Sequence, residues 1–259
     1  MLEKDDFFEL ILDINRNLIN QKENHINKYD AVDLVKFKKK PLTSSNNNKK
    51  NEFILIKCNF LGNSNVGKTT FIRFIQGEPN KNYLSTIGIE SIFIQANINK
   101  ENAYVQIIDT CGQERFRSIA KSQLNNVDII LLFYDITSRE SFEALDYWFE
   151  SINNSQDLKE ISLFLIANKI DENKKRIISK KEGLKMADKY GIKYYECSCL
   201  NGLNVYEILN DLILEGYHKN CEKRNKIQDN LKQSLESISS RNNNNNNIYI
   251  NKDKKKILL

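Results

Sequence analysis

The pattern of hydrophobic and polar positions divides the chain into a regular centre and two less regular ends. Between about residues 52 and 217, continuous apolar runs alternate with segments whose apolar residues recur at helical spacing. The predicted strands are 53–62, 89–98, 104–108, 127–134, 161–167 and 192–197. The predicted helices are 67–76, 138–153, 179–190 and 204–217. This alternation is typical of an α/β fold whose largely parallel sheet is covered on both faces.

The two ends of the chain have different patterns. Residues 5–20 repeat apolar groups at helical spacing, which predicts a short amphipathic helix. This helix either packs on the domain or binds a partner or a membrane surface. Residues 36–51 are basic and rich in Asn, as expected of a linker. The charged tail carries a helical stripe up to Ile238, with disorder expected beyond Ser240. The predicted division is a 1–51 extension, a 52–217 domain and a 218–259 tail.

Composition narrows the classes of protein that this chain resembles. The net charge of +5 over 259 residues is mild, which indicates a solvated surface and no nucleic-acid partner. The five cysteines form no paired framework and no secretory signal is visible, so a cytoplasmic, reducing location is expected. No apolar run approaches the roughly 20 residues that span a bilayer. The last cysteine is Cys221, so a C-terminal prenyl anchor is not expected.

The first chemical motif follows the first predicted strand and opens the first predicted helix. It consists of Gly62, Asn63, Ser64, Asn65, Val66, Gly67, Lys68 and Thr69, with Thr70 next in the chain. This is the pattern G-x-x-x-x-G-K-[ST], whose backbone N–H groups wrap a phosphate at the positive end of a helix dipole. Lys68 can reach the β and γ phosphates, and the Thr69 hydroxyl can bind Mg²⁺.

A second motif selects the base. Asn168, Lys169, Ile170 and Asp171 follow the predicted buried strand 161–167. The Asp171 carboxylate can accept hydrogen bonds from the N1–H and the amino group of guanine. Adenine presents an acceptor at N1 and would leave this carboxylate unpaired, which is costly, so the motif favours guanine.

A third group of residues is suited to the γ-phosphate and to hydrolysis. Asp109 follows the predicted strand 104–108 and can hold Mg²⁺ through water. The Gly112 N–H can contact the γ-phosphate, and Gln113 can orient the attacking water. Thr86 can close on the same Mg²⁺ when the γ-phosphate is present. The predicted metal ligands are therefore Thr69, Thr86 and Asp109.

These motifs resemble the Ras superfamily of small GTPases, over about residues 52–217. The segments 83–88 (YLSTIG), 109–119 (DTCGQERFRSI) and 134–142 (YDITSRESF) are most similar to Rab proteins. The resemblance implies a P-loop GTPase fold with a six-stranded, mostly parallel sheet and five helices. It implies a monomer that binds GTP or GDP and acts in vesicle traffic, peripherally on endomembranes. Its implied protein partners are an exchange factor, a GTPase-activating protein and effectors. It also implies that a loop containing Ser198, Cys199 and Leu200 contacts the guanine.

Some positions depart from the Rab pattern. Pro79 stands where an aromatic usually covers the guanine, and Leu200 stands where a lysine is usual. Cys199 and Cys111 replace the usual alanines. Leu200 can still cover the base with its apolar side chain. The departures leave open a second hypothesis, a pseudo-GTPase or non-enzymatic binding module.

The leading hypothesis is that the protein hydrolyses GTP as a switch. The intrinsic rate is expected to be slow, because no arginine finger is identifiable in the sequence. A third hypothesis, an adenine-specific P-loop ATPase, is disfavoured by Asp171.

Overall fold

The computed structural model describes residues 32–38, 53–77, 89–98, 101–110, 124, 127–155 and 160–256. The chain divides into two compact units, Met1–Tyr217 and His218–Leu259. The described strands are β1 (Val32–Lys38), β2 (Ile54–Leu61), β3 (Ile89–Ile98), β4 (Glu101–Thr110), β5 (Ile129–Asp135), β6 (Ser162–Asn168) and β7 (Lys193–Glu196). The described α-helices are α1 (Lys68–Ile75), α2 (Arg139–Glu143), α3 (Leu145–Asn153), α4 (Lys180–Tyr190) and α5 (Val205–Lys256), and a 3-10 helix covers Ile170–Lys175.

One mixed sheet organises the first unit. Its strand order across the described residues is β1-β3-β4-β2-β5-β6-β7. The pairs β1·β3 and β3·β4 are antiparallel, and all the other pairs are parallel. The predicted fold class is confirmed: strands β2 to β7 form the six-stranded, mostly parallel sheet, and the described part of the chain includes five α-helices. Strand β1 adds a seventh strand at one edge.

Strand β1 lies in the segment predicted as an extension and a linker. Residues 36–38, predicted to begin the linker, instead belong to this strand. The pairing register of β1 shifts between Leu34 and Lys36, and the resulting bulge interrupts the alternation of apolar residues. The hydrophobic pattern therefore did not predict this strand. The predicted division at residues 52 and 217 stays a prediction.

The core lies on both faces of the sheet. Leu132 and Tyr134 of β5 belong to a buried cluster with Phe142 and Trp148 from α2 and α3. Phe133 points to the opposite face, where its ring packs with the rings of Phe60 and Phe71 at centroid distances of 5.1 and 5.8 Å. Side chains alternate between the faces of a strand, so an unbroken apolar run is what a doubly covered strand requires. Each fully buried phenylalanine stabilises the fold by about 2–3 kcal/mol.

Two predicted helices have different bounds in the structure. The helix predicted over 138–153 is divided into α2 and α3 at Ala144, and Ser138 caps α2 by accepting a hydrogen bond from the Ser141 N–H. Helix α5 continues to Lys256, so the disorder predicted beyond Ser240 is wrong. The chain contains no glycine or proline after Gly216, so it lacks the residues that most strongly end a helix.

None of the helices within the described ranges has the length and apolar character that crossing a membrane requires.

Candidate functional site

The loop between β2 and α1 has a backbone shape that only certain residues adopt. Gly62, Asn65 and Gly67 have positive φ angles of 127°, 61° and 104°. A Cβ atom on Gly62 would lie 2.3 Å from the Phe133 carbonyl oxygen, and one on Gly67 would lie 2.0 Å from Nδ2 of Asn168. Both glycines are therefore required, by conformation and by space. The result is a tight turn that enters a helix N-terminus, the geometry that favours anions.

Two side chains at the start of α1 face this loop. The buried Lys68 ammonium donates hydrogen bonds to the carbonyl oxygens of Gly62 and Asn63, at 2.7 and 2.8 Å. The Thr69 hydroxyl donates to Oδ2 of Asp109, at the end of β4, over 2.6 Å. The site thus combines a cation lying across the loop with a hydroxyl and a carboxylate in direct contact. Oxygen donors of these two kinds are suited to Mg²⁺.

Asn168 connects the loop after β2 to the loop after β7. Its buried side chain donates from Nδ2 to the Val66 carbonyl oxygen over 2.8 Å. Its Oδ1 accepts a hydrogen bond from the Cys199 N–H at 3.0 Å, and the Cys197 thiol lies 3.6 Å from the same atom. One amide side chain at the end of β6 therefore holds both loops in fixed positions.

The segment after Asn168 carries the predicted base-binding carboxylate. Oδ1 of Asp171 accepts a hydrogen bond from the Ser198 hydroxyl at 2.5 Å, and the Ile170 N–H donates to the Cys197 carbonyl oxygen. Lys169 adopts a left-handed conformation with φ 69°, and its ammonium lies 2.6 Å from Oδ2 of Asp135. The exposed carboxylate of Asp171 thus lies at the rim of the site, oriented by the loop opposite.

Comparison with known proteins identifies the family. The Ras family model matches residues 57–217. The chain belongs to the Ras family. It is 34% identical over 177 residues to the Ras-related protein Rab-13 of Bos taurus, covering 66% of this chain and 87% of that protein. It is 33% identical over 187 residues to Rab-8 of Diplobatis ommata, covering 72% and 88%. It is 32% identical over 173 residues to Rab-15 of Homo sapiens, covering 65% and 81%. The protein is a divergent, Rab-like small GTPase.

The structure gives positions to most of the predicted site residues of this Ras-family protein. Ser64 and Asn65 are exposed on the loop, Val66 is buried beneath it, and Asn63 and Thr70 are half-buried. Thr86, Gly112 and Gln113 lie outside the described residues, as do Pro79 and Cys111. The described residues therefore include the candidates for the phosphates and the base and two of the three magnesium candidates, Thr69 and Asp109. The roles given to all the predicted site residues stay predictions.

Cys199 and Leu200, the two residues next to the predicted base site that depart from the Rab pattern, have different surroundings. Cys199 is buried, with its sulfur 3.8 Å from the Cys197 sulfur, and burial raises the pKa of its thiol well above the usual value. It therefore acts as a neutral, small side chain that packs in the loop. Leu200 is 54% exposed at the surface of the same loop, so its side chain is accessible to a ligand.

Trp148 is a site residue that the sequence did not reveal. Its helical spacing predicted only a core position, and it is 2% exposed. However, its indole N–H donates over 3.2 Å to Oδ1 of Asn63, in the loop between β2 and α1 (the phosphate loop, residues 62–67). A buried indole N–H needs a partner, which was the one available signal that this residue contacts a polar group.

A second unpredicted feature is an ion pair beside the loops that follow β6 and β7, which carry the predicted base-binding residues. Arg176 directly follows the 3-10 helix that contains Asp171, and Glu196 ends β7 just before Cys197. The guanidinium donates to both carboxylate oxygens, at 2.9 and 3.3 Å, and the Tyr194 hydroxyl donates to the same carboxylate over 2.9 Å. Arg176 and Glu196 are 20% and 17% exposed. This pair clamps together the two segments that lead into the predicted guanine site.

Proposed function

We propose that the protein binds GTP and GDP with Mg²⁺ and hydrolyses GTP slowly, as a molecular switch in intracellular vesicle traffic. The observation that carries the proposal is the shared contact of Asn168, which connects the Val66 carbonyl to the Cys199 N–H. A ligand that spans both loops needs a phosphate group at one end and a polar ring at the other. A nucleotide has this composition.

The phosphate end of the ligand is supported by the loop and by its donor set. Lys68 supplies positive charge, and the loop supplies backbone N–H groups at the start of α1. Thr69 and Asp109 would hold Mg²⁺, with Thr86 as the third proposed ligand. When bound, the ion supplies charge that neutralises phosphate oxygens.

The base end of the ligand is supported by Asp171. Its carboxylate is acceptor-only when ionised, so it is suited to the N1–H and amino donors of guanine. Ser198 fixes one oxygen of this carboxylate, and Leu200 is exposed on the same loop. We infer that Asn168, Lys169, Asp171, Ser198, Cys199 and Leu200 surround the guanine.

The switching part of the proposal rests on the resemblance to Rab proteins. Gln113 would orient the attacking water, and Thr86 and Gly112 would follow the presence of the γ-phosphate. Intrinsic turnover would be slow without an added arginine, and an activating protein could raise it by on the order of 10³–10⁵. An exchange factor and effectors would be the other partners of a monomer that is cytoplasmic and peripheral on endomembranes.

The most direct test is mass analysis of the nucleotide that copurifies with the full chain. We expect GDP or GTP, released when Mg²⁺ is chelated. Added GTP should then bind far more tightly than ATP. Equal binding of both nucleotides would reject the guanine site, and binding of neither would reject the whole proposal.

Hydrolysis needs a separate measurement. A single-turnover assay with the purified chain should show slow conversion of GTP to GDP, and Gln113→Leu should slow it further while GDP affinity stays the same. Hydrolysis at an unchanged rate in that variant would contradict the role given to Gln113. GTP retained unhydrolysed for hours, even with activating proteins, would favour the binding module instead.

A further inference from the structure

The edge strand of the sheet is supplied by a segment that precedes the matched family region. Strand β1 pairs antiparallel with β3 over the register from Val32 opposite Ile98 to Lys38 opposite Phe93. In the sheet order of the described strands, β3 would be the end strand if β1 were absent. An end strand presents a row of unsatisfied N–H and C=O groups that can pair with another chain.

The pairing register of β1 places its apolar residues opposite buried residues of β3. Val32, Leu34 and Phe37 are placed opposite Ile98, Ala96 and Ile94. These three residues of β3 are all buried, with exposures of at most 1%. Leu34 and Phe37 are three residues apart, an odd spacing that would assign them to opposite faces of a regular strand. The register shift between Leu34 and Lys36 absorbs one residue, so that Phe37 is paired with Ile94, which is buried.

We propose that the outer edge of β3 is a site for strand addition, and that the chain fills this site with its own residues 32–38. The partner that fits the site is an extended peptide, antiparallel to β3, with apolar residues in register with Ile94, Ala96 and Ile98. Main-chain hydrogen bonds give such a complex its affinity, and the alternate side chains give it specificity.

Because β1 is covalently part of the chain, it sets the affinity that a competing peptide needs in order to displace it. Because β1 and β3 belong to the same chain, their pairing is intramolecular, and the effective concentration of an intramolecular partner can be on the order of millimolar. A free peptide of equal intrinsic affinity would therefore bind only when the internal strand is disabled. A natural partner must either bind more tightly than β1 or act on a chain whose β1 has been released.

Hydrogen exchange tests whether β1 covers the edge. Successive N–H groups of an antiparallel strand point to alternate neighbours, so half of the amides in 93–98 depend on β1 and half on β4. The double variant Asp33→Pro/Leu34→Pro, made in the full chain, removes the N–H of two adjacent residues, one of which points to β3. Every second amide of 93–98 should then exchange at least about tenfold faster, while the amides between them keep their protection and show that the sheet is folded.

A matched control places two prolines outside the strand, as Ser44→Pro/Ser45→Pro. This control should exchange like the wild type. If the alternate amides of 93–98 exchange rapidly already in the wild type, or stay protected in an Asp33→Pro/Leu34→Pro chain that remains monomeric, the internal strand does not fill the edge and the proposal is wrong.

Peptide binding tests whether the edge accepts a strand. The probe is a fluorescent synthetic peptide with the sequence of residues 30–40, and its control is a scrambled peptide without the apolar spacing. The Asp33→Pro/Leu34→Pro chain should bind the probe at least about tenfold more tightly than the wild type does. Self-association of this variant that protects the same amides would also support the site, because a second copy then supplies the strand.

Equal binding of the probe to both chains, or of probe and scrambled peptide to the variant, would overturn the proposal. So would an edge that exchange shows to be open but that takes up neither the peptide nor a second copy. These outcomes do not depend on nucleotide binding, so they can be separated from a failure of the proposed GTPase function.

Discussion

The indole N–H of Trp148 and the side-chain oxygen of Asn63 lie 3.2 Å apart, so helix α3 is hydrogen-bonded to the phosphate loop. The main-chain carbonyl of the same Asn63 accepts a hydrogen bond from the Lys68 ammonium. The loop residue is thus held on one side by a rigid buried ring and on the other by the cation expected to meet the phosphates. Trp148 acts as a positioning residue for the loop.

Replacing Trp148 with phenylalanine should accelerate nucleotide release. The aromatic ring still fills the core, but the bond to Asn63 is lost, which amounts to about 1 kcal/mol for a hydrogen bond of this kind. The dissociation rate of a fluorescent GDP analogue should rise by about two- to tenfold. Asn63→Ala removes the acceptor of the same hydrogen bond, so the double variant Trp148→Phe/Asn63→Ala should release the analogue no faster than the faster of the two single variants. Additive increases in the double variant would show that the hydrogen bond is not the cause.

Replacing Asp171 with asparagine should change which base is preferred. The amide loses one acceptor for guanine and gains a donor for the C2 carbonyl of xanthine, so GDP affinity should fall and XDP affinity should rise. Competition binding with the two nucleotides measures the change. The neighbouring Glu172→Gln alters the same kind of group, but that carboxylate pairs only with the exposed Lys175 among the described contacts. A loss of guanine preference in Glu172→Gln, or none in Asp171→Asn, would contradict the assignment.

Replacing Glu196 with glutamine should lower both stability and nucleotide retention. The half-buried Arg176 would lose its charged partner, at about 1–3 kcal/mol of unfolding free energy. Urea unfolding measures the first effect and GDP release the second. Asp146→Asn removes a carboxylate from the exposed pair with Lys189, where a smaller loss of unfolding free energy is expected because solvent screens the pair. Similar losses in the two variants would mean that burial does not strengthen the Arg176–Glu196 pair.

The N-terminus of α4 should contribute an acid-sensitive part of the stability. The Ser179 hydroxyl and N–H donate to the Glu182 carboxylate at 2.7 and 2.8 Å, and Arg139 donates over 2.8 Å. These bonds, that of the Ser179 hydroxyl first, lower the pKa of Glu182 to about 2. Because the folded pKa is depressed, the stabilisation is complete above the ordinary value of 4.5 and is lost as the pH falls towards 2.

The expected readout is the difference in melting temperature between the wild type and Glu182→Gln. It should be constant at neutral pH and shrink as the pH falls from about 4.5 to about 2. In a Ser179→Ala background, the same comparison should give a smaller difference at every pH. A difference that does not vary with pH would show that the charge of Glu182 does not contribute.

Hydrophobic patterning predicted the strands well where the pattern is regular from end to end. The bounds of β3 agree with the prediction to the residue, because ten positions of strand-like pattern have clear ends. The division at Ala144 was invisible, because the apolar stripe continues from Phe142 through Leu145 to Trp148 across the break. Strand β1 was not predicted because its bulge shifts the positions of the apolar residues by one. Prediction from hydrophobic patterning assumes that apolar residues recur at a constant spacing.

The motif residues of the site were found because their roles follow from short local spacing after a strand. Trp148 contacts a residue 85 positions away, and Arg176 contacts one 20 positions away. Such contacts depend on how elements pack, which no local pattern encodes. Asn168 is intermediate: its place in the motif was predicted, but its contacts with two other loops became visible only in three dimensions.

The position of Asn168 has a thermodynamic consequence. A single side chain that braces both loops makes their ordering a shared event, so filling one pocket prepares the other. Fragments that resemble only the phosphate end or only the base end of the proposed nucleotide should therefore bind cooperatively. A substitution that changes the affinity for one end of the proposed nucleotide should therefore also change the affinity for the other end.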